Sequence, residues 1–337
     1  MLQQVQKRRP PLVVVAPDSF KGTYSSADVA AAIARGLASR GVRHDVVPVA
    51  DGGEGTLAAL LGASEAGHVE HVTVLDALCR PRLVPLGFIN GDGTAIIESA
   101  EVVGLGLTEA NLRRPVEATT FGVGQLLRVA WRYGVERTYV AAGGTSTTDG
   151  GAGALDALCD SPSGGETVVL CDVETPYELA ASTYGPQKGA TPNDVIALEG
   201  RLNDLAAQFP RDPRGVARTG AGGGLAGALW AVHNAQLVSG ADVVLRQVRL
   251  EERLAPAAAV ITGEGRLDSQ TGEGKLVARV AALARAHDVP CLAIVGTTDL
   301  PDEDAHTLGL ERVVAASTLP LIEAVAAALA DSIAGRS

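Results

Sequence analysis

The stretch from Val260 to Lys275, VITGEGRLDSQTGEGK, constrains the fold more than any other part of the chain. It continues an apolar run, Ala257–Ile261, that has the composition of a buried strand. Glycines and charged side chains follow, and an amphipathic helix pattern begins at Leu276. A strand, a charged glycine loop and a helix in this order are typical of α/β proteins, which bind ligands at the carboxyl ends of strands and the amino ends of helices. The stretch therefore predicts a parallel sheet with a ligand-binding loop.

The same arrangement occurs near the start of the chain. Leu12–Ala16 is a continuous apolar, β-branched run, typical of a strand buried on both faces. A polar loop leads to a helix whose start is marked by a capping box at Ser25 and Asp28. A second strand, Asp45–Val49, runs into another loop and helix. Two successive strand–loop–helix units imply a parallel sheet with right-handed crossovers.

The pattern changes from about Val69, where strand-like pieces follow one another without helices between them. Asn90–Gly93 is a hairpin signal within this part. The regular α/β alternation returns at Ala257. We therefore predict an α/β fold in which residues 1–75 and 255–337 form a discontinuous parallel-sheet domain. Residues 76–254 form an inserted α/β domain with a mixed sheet.

Composition narrows the class of protein. Hydrophobic residues make up 46% of the 337 residues, which is enough for a sizeable core. No apolar run approaches the ~20 residues that a transmembrane helix needs. The formal net charge is −11 and no basic patch occurs beyond residues 7–9, which argues against nucleic-acid binding. The four cysteines show no CxxC spacing and the start has no signal-peptide pattern, so we expect a cytoplasmic protein with reduced thiols and no membrane partner.

Polar loops follow the first two predicted strands. Asp18, Ser19 and Lys21 place a carboxylate, a hydroxyl and an amine where they suit a small polyhydroxy acid. A turn without a ligand explains the same residues equally well. Asp51 and Glu54 follow the second strand, and their hard carboxylate oxygens suit Mg²⁺. Helix capping is the alternative interpretation of this pair.

Two glycine-rich loops are candidates for phosphate binding. Gly143–Gly153 carries hydroxyls at Thr145–Thr148, and its successive N–H groups can form an anion-binding nest. Asp149 in the same loop suits a metal or a sugar hydroxyl. Gly220–Gly224 allows backbone to approach a nucleotide, although the GxGxxG pattern there follows no clear strand. The P-loop, HExxH and GxSxG patterns are absent.

Charges of both signs alternate in the loop after Ile261, at Glu264, Arg266 and Asp268. A phosphate group with its metal would use both signs, whereas without a ligand such residues serve caps and ion pairs. This loop is the first candidate for the reaction centre.

Six sequence blocks resemble the bacterial type I glycerate kinase family. They run through nearly the whole chain in the family's order: APDSFKG (16–22), PVADGGEGT (48–56), the GGTSTTDGGAG loop (143–153), CDV (171–173), GPQKGATP (185–192) and ITGEGRLDSQT (261–271). The resemblance implies phosphorylation of D-glycerate by ATP with Mg²⁺, usually at the 2-hydroxyl, in glyoxylate and glycerate catabolism. It also implies two α/β domains around an active-site cleft, one of them Rossmann- or flavodoxin-like.

The sequence departs from the family pattern in three places. GGTSTTDGG stands where GGSATNDGG is usual, and the connection between Leu158 and Val168 is much shorter than usual. Glu174 and Thr175 stand where Asp and Asn are common. These changes leave the predicted activity in place and concern substrate contacts near Asp172.

The resemblance and the physics of phosphoryl transfer, which rests on positioning and charge stabilisation, assign provisional roles. Lys21 and Arg266 bind the glycerate carboxylate or the transferred phosphoryl group, and Asp172 or Asp268 orients the attacking hydroxyl. The remaining assignments are Asp18 and Ser19 for substrate, Asp51 and Glu54 for Mg²⁺, and Thr145, Ser146, Asp149, Lys188, Gly220, Gly222, Gly223, Gly224 and Glu264 for the nucleotide.

Two alternatives remain open. One is a kinase for a related small hydroxy acid or sugar acid, which a substrate panel would distinguish. The other is a non-catalytic ligand-binding protein on the same scaffold, in which the charged loop residues would be lost. We expect a monomer or a homodimer, and the sequence does not distinguish 2-phosphoglycerate from 3-phosphoglycerate as the product.

Overall fold

The computed structural model describes residues 11–20, 22–159, 161, 164–268 and 276–335. Within them the strands are β1 (Leu12–Val15), β2 (Arg43–Val46), β3 (His68–Leu75), β4 (Pro81–Ile89), β5 (Thr94–Glu98), β6 (Arg137–Ala141), β7 (Glu166–Leu170), β8 (Gln236–Val238), β9 (Ala259–Thr262), β10 (Arg266–Leu267), β11 (Cys291–Val295), β12 (Thr297–Thr298) and β13 (Arg312–Ala315). The helices are α1 (Ser26–Ser39), α2 (Thr56–Gly62), α3 (Ser99–Val103), α4 (Phe121–Arg132), α5 (Ala152–Leu158), α6 (Ala180–Tyr184), α7 (Pro192–Ala206), α8 (Leu225–Val232), α9 (Gly240–Gln247), α10 (Leu250–Leu254), α11 (Leu276–Ala286), α12 (Asp302–Thr307) and α13 (Leu319–Ala334).

The described residues form two compact units. The first runs to Val49 and resumes at Arg249, and the second spans Ala50–Val248. These boundaries differ from those predicted at residues 75 and 255. The reason lies in α2 and β3, because α2 packs on β4 and β5 while β3 pairs antiparallel with β4, so both elements belong to the second unit.

The first unit contains a parallel sheet in the strand order β13-β11-β9-β1-β2. Its inner strand β1 pairs with β2 on one side and β9 on the other. Val13, Val14 and Val15 are fully buried, as expected for a β-branched strand covered on both faces. Helices α1 and α13 pack together over one face of the sheet, and their apolar residues join its core. The predicted discontinuous parallel-sheet domain is confirmed.

The second unit contains a mixed sheet in the order β3-β4-β5-β6-β7-β8. Strands β3, β4 and β5 are antiparallel neighbours, and β5 to β8 run parallel. The predicted hairpin joins β4 to β5, and Asn90, Gly91 and Asp92 have the positive φ that a tight turn requires. Helices α4, α5 and α8 contribute buried apolar residues to the core of this unit. The inserted mixed α/β domain is confirmed.

Local signals in the sequence explain several element ends. Helix α1 begins with the predicted capping box, in which Ser25 accepts the Asp28 N–H and the Asp28 carboxylate accepts the Ser25 N–H. Strand β2 ends at Val46, earlier than predicted, and Pro48 has no N–H to continue the ladder. No helix in the described ranges is long and apolar enough to cross a membrane.

Parallel strands bring their carboxyl-terminal loops to one edge of a sheet, and this determines where each unit can hold ligands. In the first unit the loops after β1, β9 and β11 share an edge. In the second unit the loops after β5, β6, β7 and β8 do so.

Two helical glycines give a matched test of the packing in the second unit. A Cβ on Gly124 in α4 would lie 2.4 Å from the Ala154 carbonyl oxygen, whereas a Cβ on Gly200 in α7 would meet no heavy atom within 4 Å. We expect Gly124→Ala to lower the free energy of unfolding by about 1–3 kcal/mol, because the added methyl group would overlap the α5 backbone, which cannot shift as a flexible side chain can. Gly200→Ala should raise it by about 0.5–1 kcal/mol through helix propensity. Urea denaturation followed by circular dichroism measures both, and stabilisation by Gly124→Ala would contradict the packing.

Candidate functional site

Glycines bring three loops of the second unit together at the carboxyl ends of its parallel strands. A Cβ on Gly240 would lie 2.4 Å from the Gly52 Cα, and a Cβ on Gly143 would lie 2.7 Å from the Gly53 Cα. The Gly143 N–H donates to the Gly52 carbonyl oxygen at 3.2 Å. Such close approach of backbones requires glycine. The loop that carries Asp51 is thereby held against the ends of β6 and β7 and the start of α9.

Asp172 follows β7 at this edge. Its Oδ2 atom accepts the Ala241 N–H from the first turn of α9 at 3.0 Å. Its Oδ1 atom is buried and has no hydrogen-bond partner. Burial, followed by the nearby Asp51 carboxylate, raises the pKa of Asp172 to about 7, while hydrogen bonds from Ser239, Ala241 and Gly240 act in the opposite direction.

Asp51 and Asp172 provide the kind of ligand that a hard divalent cation prefers. Asp51 Oδ1 accepts the Gly53 N–H at 3.0 Å, which orients this carboxylate within its loop. A cation between two neighbouring carboxylates would offset their repulsion and would use the buried Asp172 Oδ1. The donor set therefore fits Mg²⁺. Glu54 lies on the same loop and is exposed. No cluster of three or more His, Cys, Asp or Glu suited to a metal occurs in the described ranges.

Glu98, the last residue of β5, was not among the predicted site residues. Its side chain is 3% exposed, and its two oxygens accept the Gly55 and Leu57 N–H groups, each at 3.0 Å. The carboxylate therefore ties the loop that carries Asp51 to the end of β5. Burial raises the pKa of Glu98 to about 7, against the effect of these two hydrogen bonds. A carboxylate that ends an apolar strand run was the available signal in the sequence.

Asp149 in the glycine-rich loop makes an internal network. Its oxygens accept the N–H groups of Thr120, Gly151 and Gly153 at 2.7–3.1 Å and the Thr120 hydroxyl at 2.9 Å. The Thr119 hydroxyl donates to it as well, at 3.2 Å. These bonds close the loop onto the starts of α4 and α5, so the carboxylate has a structural role. Its predicted contact with a nucleotide stays a prediction.

Lys188 lies buried beneath the same loop. Its Nζ donates to the Thr147 carbonyl oxygen at 2.6 Å and lies 3.5 Å from the Thr145 hydroxyl. Burial lowers the pKa of Lys188 to about 8, and the Asp149 carboxylate opposes that shift. The Thr147 and Thr148 hydroxyls are buried without hydrogen-bond partners. Lys188 thus holds the loop through a backbone carbonyl oxygen, and these two hydroxyl groups of the loop lack hydrogen-bond partners.

The second glycine loop packs on the first. Gly222, Gly223 and Gly224 have positive φ, and a Cβ on Gly223 would lie 2.0 Å from the Thr147 carbonyl oxygen. The Gly150 N–H donates to the Gly223 carbonyl oxygen at 3.0 Å. These glycines are required for close backbone packing, and their predicted contact with a nucleotide, like that of Gly220, stays a prediction.

The first unit brings Asp18, Ser19 and Glu264 to the carboxyl ends of β1 and β9, where all three are buried. The Asp18 N–H donates to the Gly263 carbonyl oxygen at 2.8 Å and joins the two loops. Asp18 Oδ1 accepts the Ser19 N–H at 2.7 Å. The loops predicted to carry chemistry in the first unit are therefore neighbours.

Arg266 and Asp268 follow β9 in the chain. Arg266 lies in β10, which pairs with β12. The exposed Arg266 guanidinium contacts Asp299 at 2.5 Å and Asp268 at 3.8 Å. Exposed ion pairs contribute little to stability, so an anionic ligand can replace Asp299 as the partner of Arg266. Lys21 lies outside the described residues.

Comparison with known proteins decides the family. The glycerate kinase family model matches residues 13–164 and 159–334. The chain belongs to the glycerate kinase family. The two matched segments overlap at residues 159–164. Because the family and its named relatives are glycerate kinases, the protein is an enzyme of the kinase class.

Individual relatives cover nearly the whole chain. A glycerate kinase from Bacillus subtilis (strain 168) is 34% identical, with 93% of this chain and 92% of that protein aligned. A glycerate 2-kinase from Escherichia coli (strain K12) is also 34% identical, with 91% and 90% aligned. A crystal structure from Salmonella typhimurium LT2, assigned as a glycerate kinase 2, is 31% identical and superposes with a TM-score of 0.78 over 97% of this chain and 100% of that one.

The buried Glu98 makes a prediction about pH. Its pKa is raised from 4.5 to about 7. Between these two pH values the folded protein therefore keeps a proton on Glu98 that the unfolded chain has released. The resulting stabilisation is complete below about pH 4.5 and is lost as the pH rises through about 7. Glu98→Gln removes this dependence. We expect its free energy of unfolding, relative to the unsubstituted protein, to rise by on the order of 2 kcal/mol from about pH 5 to pH 8.

Chemical denaturation at each pH measures this difference. Glu101→Gln removes a carboxylate whose effect on the Glu98 pKa is smaller than that of burial and of the two hydrogen bonds, so its stability profile should stay closer to that of the unsubstituted protein. Parallel profiles for Glu98→Gln would show that Glu98 does not titrate in this range.

Proposed function

We propose that the protein transfers the γ-phosphoryl group of ATP to the 2-hydroxyl of D-glycerate and forms 2-phosphoglycerate and ADP. The observation that carries the proposal is the buried, unpartnered Oδ1 of Asp172 beside Asp51, at the carboxyl edge of a parallel sheet. Membership of the glycerate kinase family supplies the substrate class, and the relative named glycerate 2-kinase favours the 2-hydroxyl. The reaction would serve organic-acid catabolism.

Asp51 and Asp172 are the proposed ligands of Mg²⁺, and Glu54 is a further carboxylate on the same loop. When bound, Mg²⁺ neutralises charge on the phosphates of ATP. The role of the protein at this point is to hold the two carboxylates in place. The glycine contact between Gly52 and Gly240 does this, together with the hydrogen bonds that Glu98 accepts from the N–H groups of residues 55 and 57.

The loop from Gly143 to Gly153 is the proposed cradle for the nucleotide phosphates. Support comes from the Thr147 and Thr148 hydroxyls, which are buried and have no protein partner. Lys188 fixes the loop through the Thr147 carbonyl oxygen. A loop held in place in this way does not have to reorganise as charge develops on the phosphoryl group.

In the first unit, Asp18, Ser19, Lys21 and Arg266 are the proposed groups for glycerate. Arg266 would pair with the substrate carboxylate or the transferred phosphoryl group in place of Asp299. Asp268 is then the proposed carboxylate for the attacking hydroxyl. The hydroxyl oxygen forms a bond to the γ-phosphorus, the bond from that phosphorus to the bridging oxygen of ADP breaks, and Asp268 accepts the hydroxyl proton.

Phosphorus NMR of the reaction mixture tests the activity and the position together. The purified protein with ATP, Mg²⁺ and D-glycerate should form ADP and 2-phosphoglycerate, whose phosphorus is coupled to a single proton on carbon 2. A signal coupled to the two protons of a methylene group would identify 3-phosphoglycerate and contradict the proposed position. The absence of turnover on D-glycerate, with turnover of another small hydroxy acid or sugar acid, would contradict the proposed substrate.

A further inference from the structure

A polar cavity lies in the second unit, away from the strand ends that Asp172 follows. It has a volume of about 700 Å³ and lies against the first residues of β7 and β8, Glu166 and Gln236. This volume falls in the range of small-molecule sites. Asp172 and Ser239 follow the opposite, carboxyl-terminal ends of these strands, and at roughly 3.3 Å per residue a five-residue strand is roughly 16 Å long. The part of the cavity at Glu166 and Gln236 therefore lies at the far ends of these strands from Asp172, whereas its lining residue Arg218 extends to the loop after β7 and pairs with Glu174.

The charges around the cavity favour an anion. Glu166 is its acidic lining residue and already pairs with Arg137 at 2.6 Å. Arg218 pairs with Glu174 through Nε and Nη2, at 3.0 and 2.7 Å. Burial lowers the pKa of His233, so this lining residue is neutral at pH 7. The two ion pairs and the neutral histidine therefore contribute no net charge to the cavity.

Arg211 is different, because none of the described carboxylates lies within ion-pair distance of it. Its guanidinium carbon lies 3.3 Å from the centroid of the Trp230 ring, and its Nη2 donates to the Trp230 carbonyl oxygen at 2.7 Å. Stacking and this single hydrogen bond hold the planar cation in place and leave its other N–H donors for a ligand. A fixed arginine without a carboxylate partner is suited to carboxylate or phosphate oxygens. Because the chain carries a formal net charge of −11, an arginine without a carboxylate partner at a cavity indicates a site for an anion.

We propose that this cavity is a second binding site, which takes a small carboxylate or phosphate anion through Arg211 stacked on Trp230. The site is distinct from the proposed phosphoryl-transfer site and does not depend on the identity of the phosphorylated hydroxyl. Trp230 forms one wall and Asn234 and Gln236 supply uncharged polar groups to the same cavity.

The two tryptophans of the chain make the proposal testable by fluorescence. Trp230 lines the cavity, and the Trp131 ring lies 5.5 Å from the ring of the lining residue His233. The full-length protein is titrated separately with inorganic phosphate, malonate and 2-phosphoglycerate at constant ionic strength. We expect a saturable change in tryptophan emission with at least one probe, half-complete at or below about 1 mM. Comparison of inorganic phosphate with malonate shows whether phosphate or carboxylate is the recognised group.

Variants on the same loop provide the control. Arg211→Gln should weaken the titration by at least about tenfold, because the charge-assisted contact is lost. Arg214→Gln removes a neighbouring arginine that is already paired with Asp212, so it should leave the titration unchanged. Both arginines are exposed, and far-ultraviolet circular dichroism verifies that both variants are folded.

Three results would overturn the proposal. The first is the absence of a saturable change with every probe up to about 20 mM, a concentration well above the dissociation constant expected of a specific site. The second is an unchanged titration in Arg211→Gln. The third is a loss of phosphoryl transfer to D-glycerate in Arg211→Gln equal to the loss of anion binding, because that would put Arg211 in the reaction site itself. Retained transfer together with weakened anion binding would support a separate site.

Discussion

The close packing of glycine backbones at the carboxyl ends of the parallel strands determines the rest of the candidate site in the second unit. Gly240 lies against Gly52, and Gly143 lies against Gly53, at distances that leave no room for a Cβ on Gly240 or Gly143. This contact brings the Asp51 loop to Asp172, which follows a different strand. The sheet supplies the edge, and the glycines allow loops from distant parts of the chain to share it.

This arrangement is costly for folding. Two carboxyl groups at this edge, Glu98 and Asp172, are buried enough that each has a pKa raised to about 7, and the ammonium group of Lys188 is buried nearby in the same unit. Burying ionisable groups against their preferred charge lowers stability at neutral pH. Perturbed groups of this kind cluster at functional sites, where a ligand or cation supplies the missing interaction. Structural needs account for some of them, since Glu98 and Lys188 hold loops through backbone groups.

Much of this architecture follows from local patterns in the sequence. The apolar run at Leu12–Ala16, the capping box at Ser25 and the hairpin turn at Asn90–Gly93 each depend on neighbouring residues only, and each is present in the structure. The order of strands and polar loops placed Asp18, Asp51 and Asp172 after strands, as found. The family resemblance depends on short sequence blocks, so it could also be predicted from the sequence.

Features that depend on contacts between distant segments were not predictable in this way. Glu98 ends an ordinary apolar strand, and only the fold shows that it accepts N–H groups from residues 55 and 57. Strand β8 has three residues, too few for a periodic pattern. The first domain boundary depended on α2, which continues the strand–loop–helix alternation in the sequence, and on β3, because both elements pack with the second sheet. The cavity beside Arg211 likewise depends on the packing of distant segments.

The central claim is that Asp51 and Asp172 form a divalent-cation site. Electron paramagnetic resonance with Mn²⁺ in place of Mg²⁺ tests it without any requirement for turnover. We expect one Mn²⁺ per chain, with the affinity reduced by about 10–100-fold in Asp172→Asn, whereas Glu174→Gln, which alters an exposed neighbour paired with Arg218, should bind as the unsubstituted protein does. Equal Mn²⁺ binding by Asp172→Asn and the unsubstituted protein, with both folded, would contradict the account.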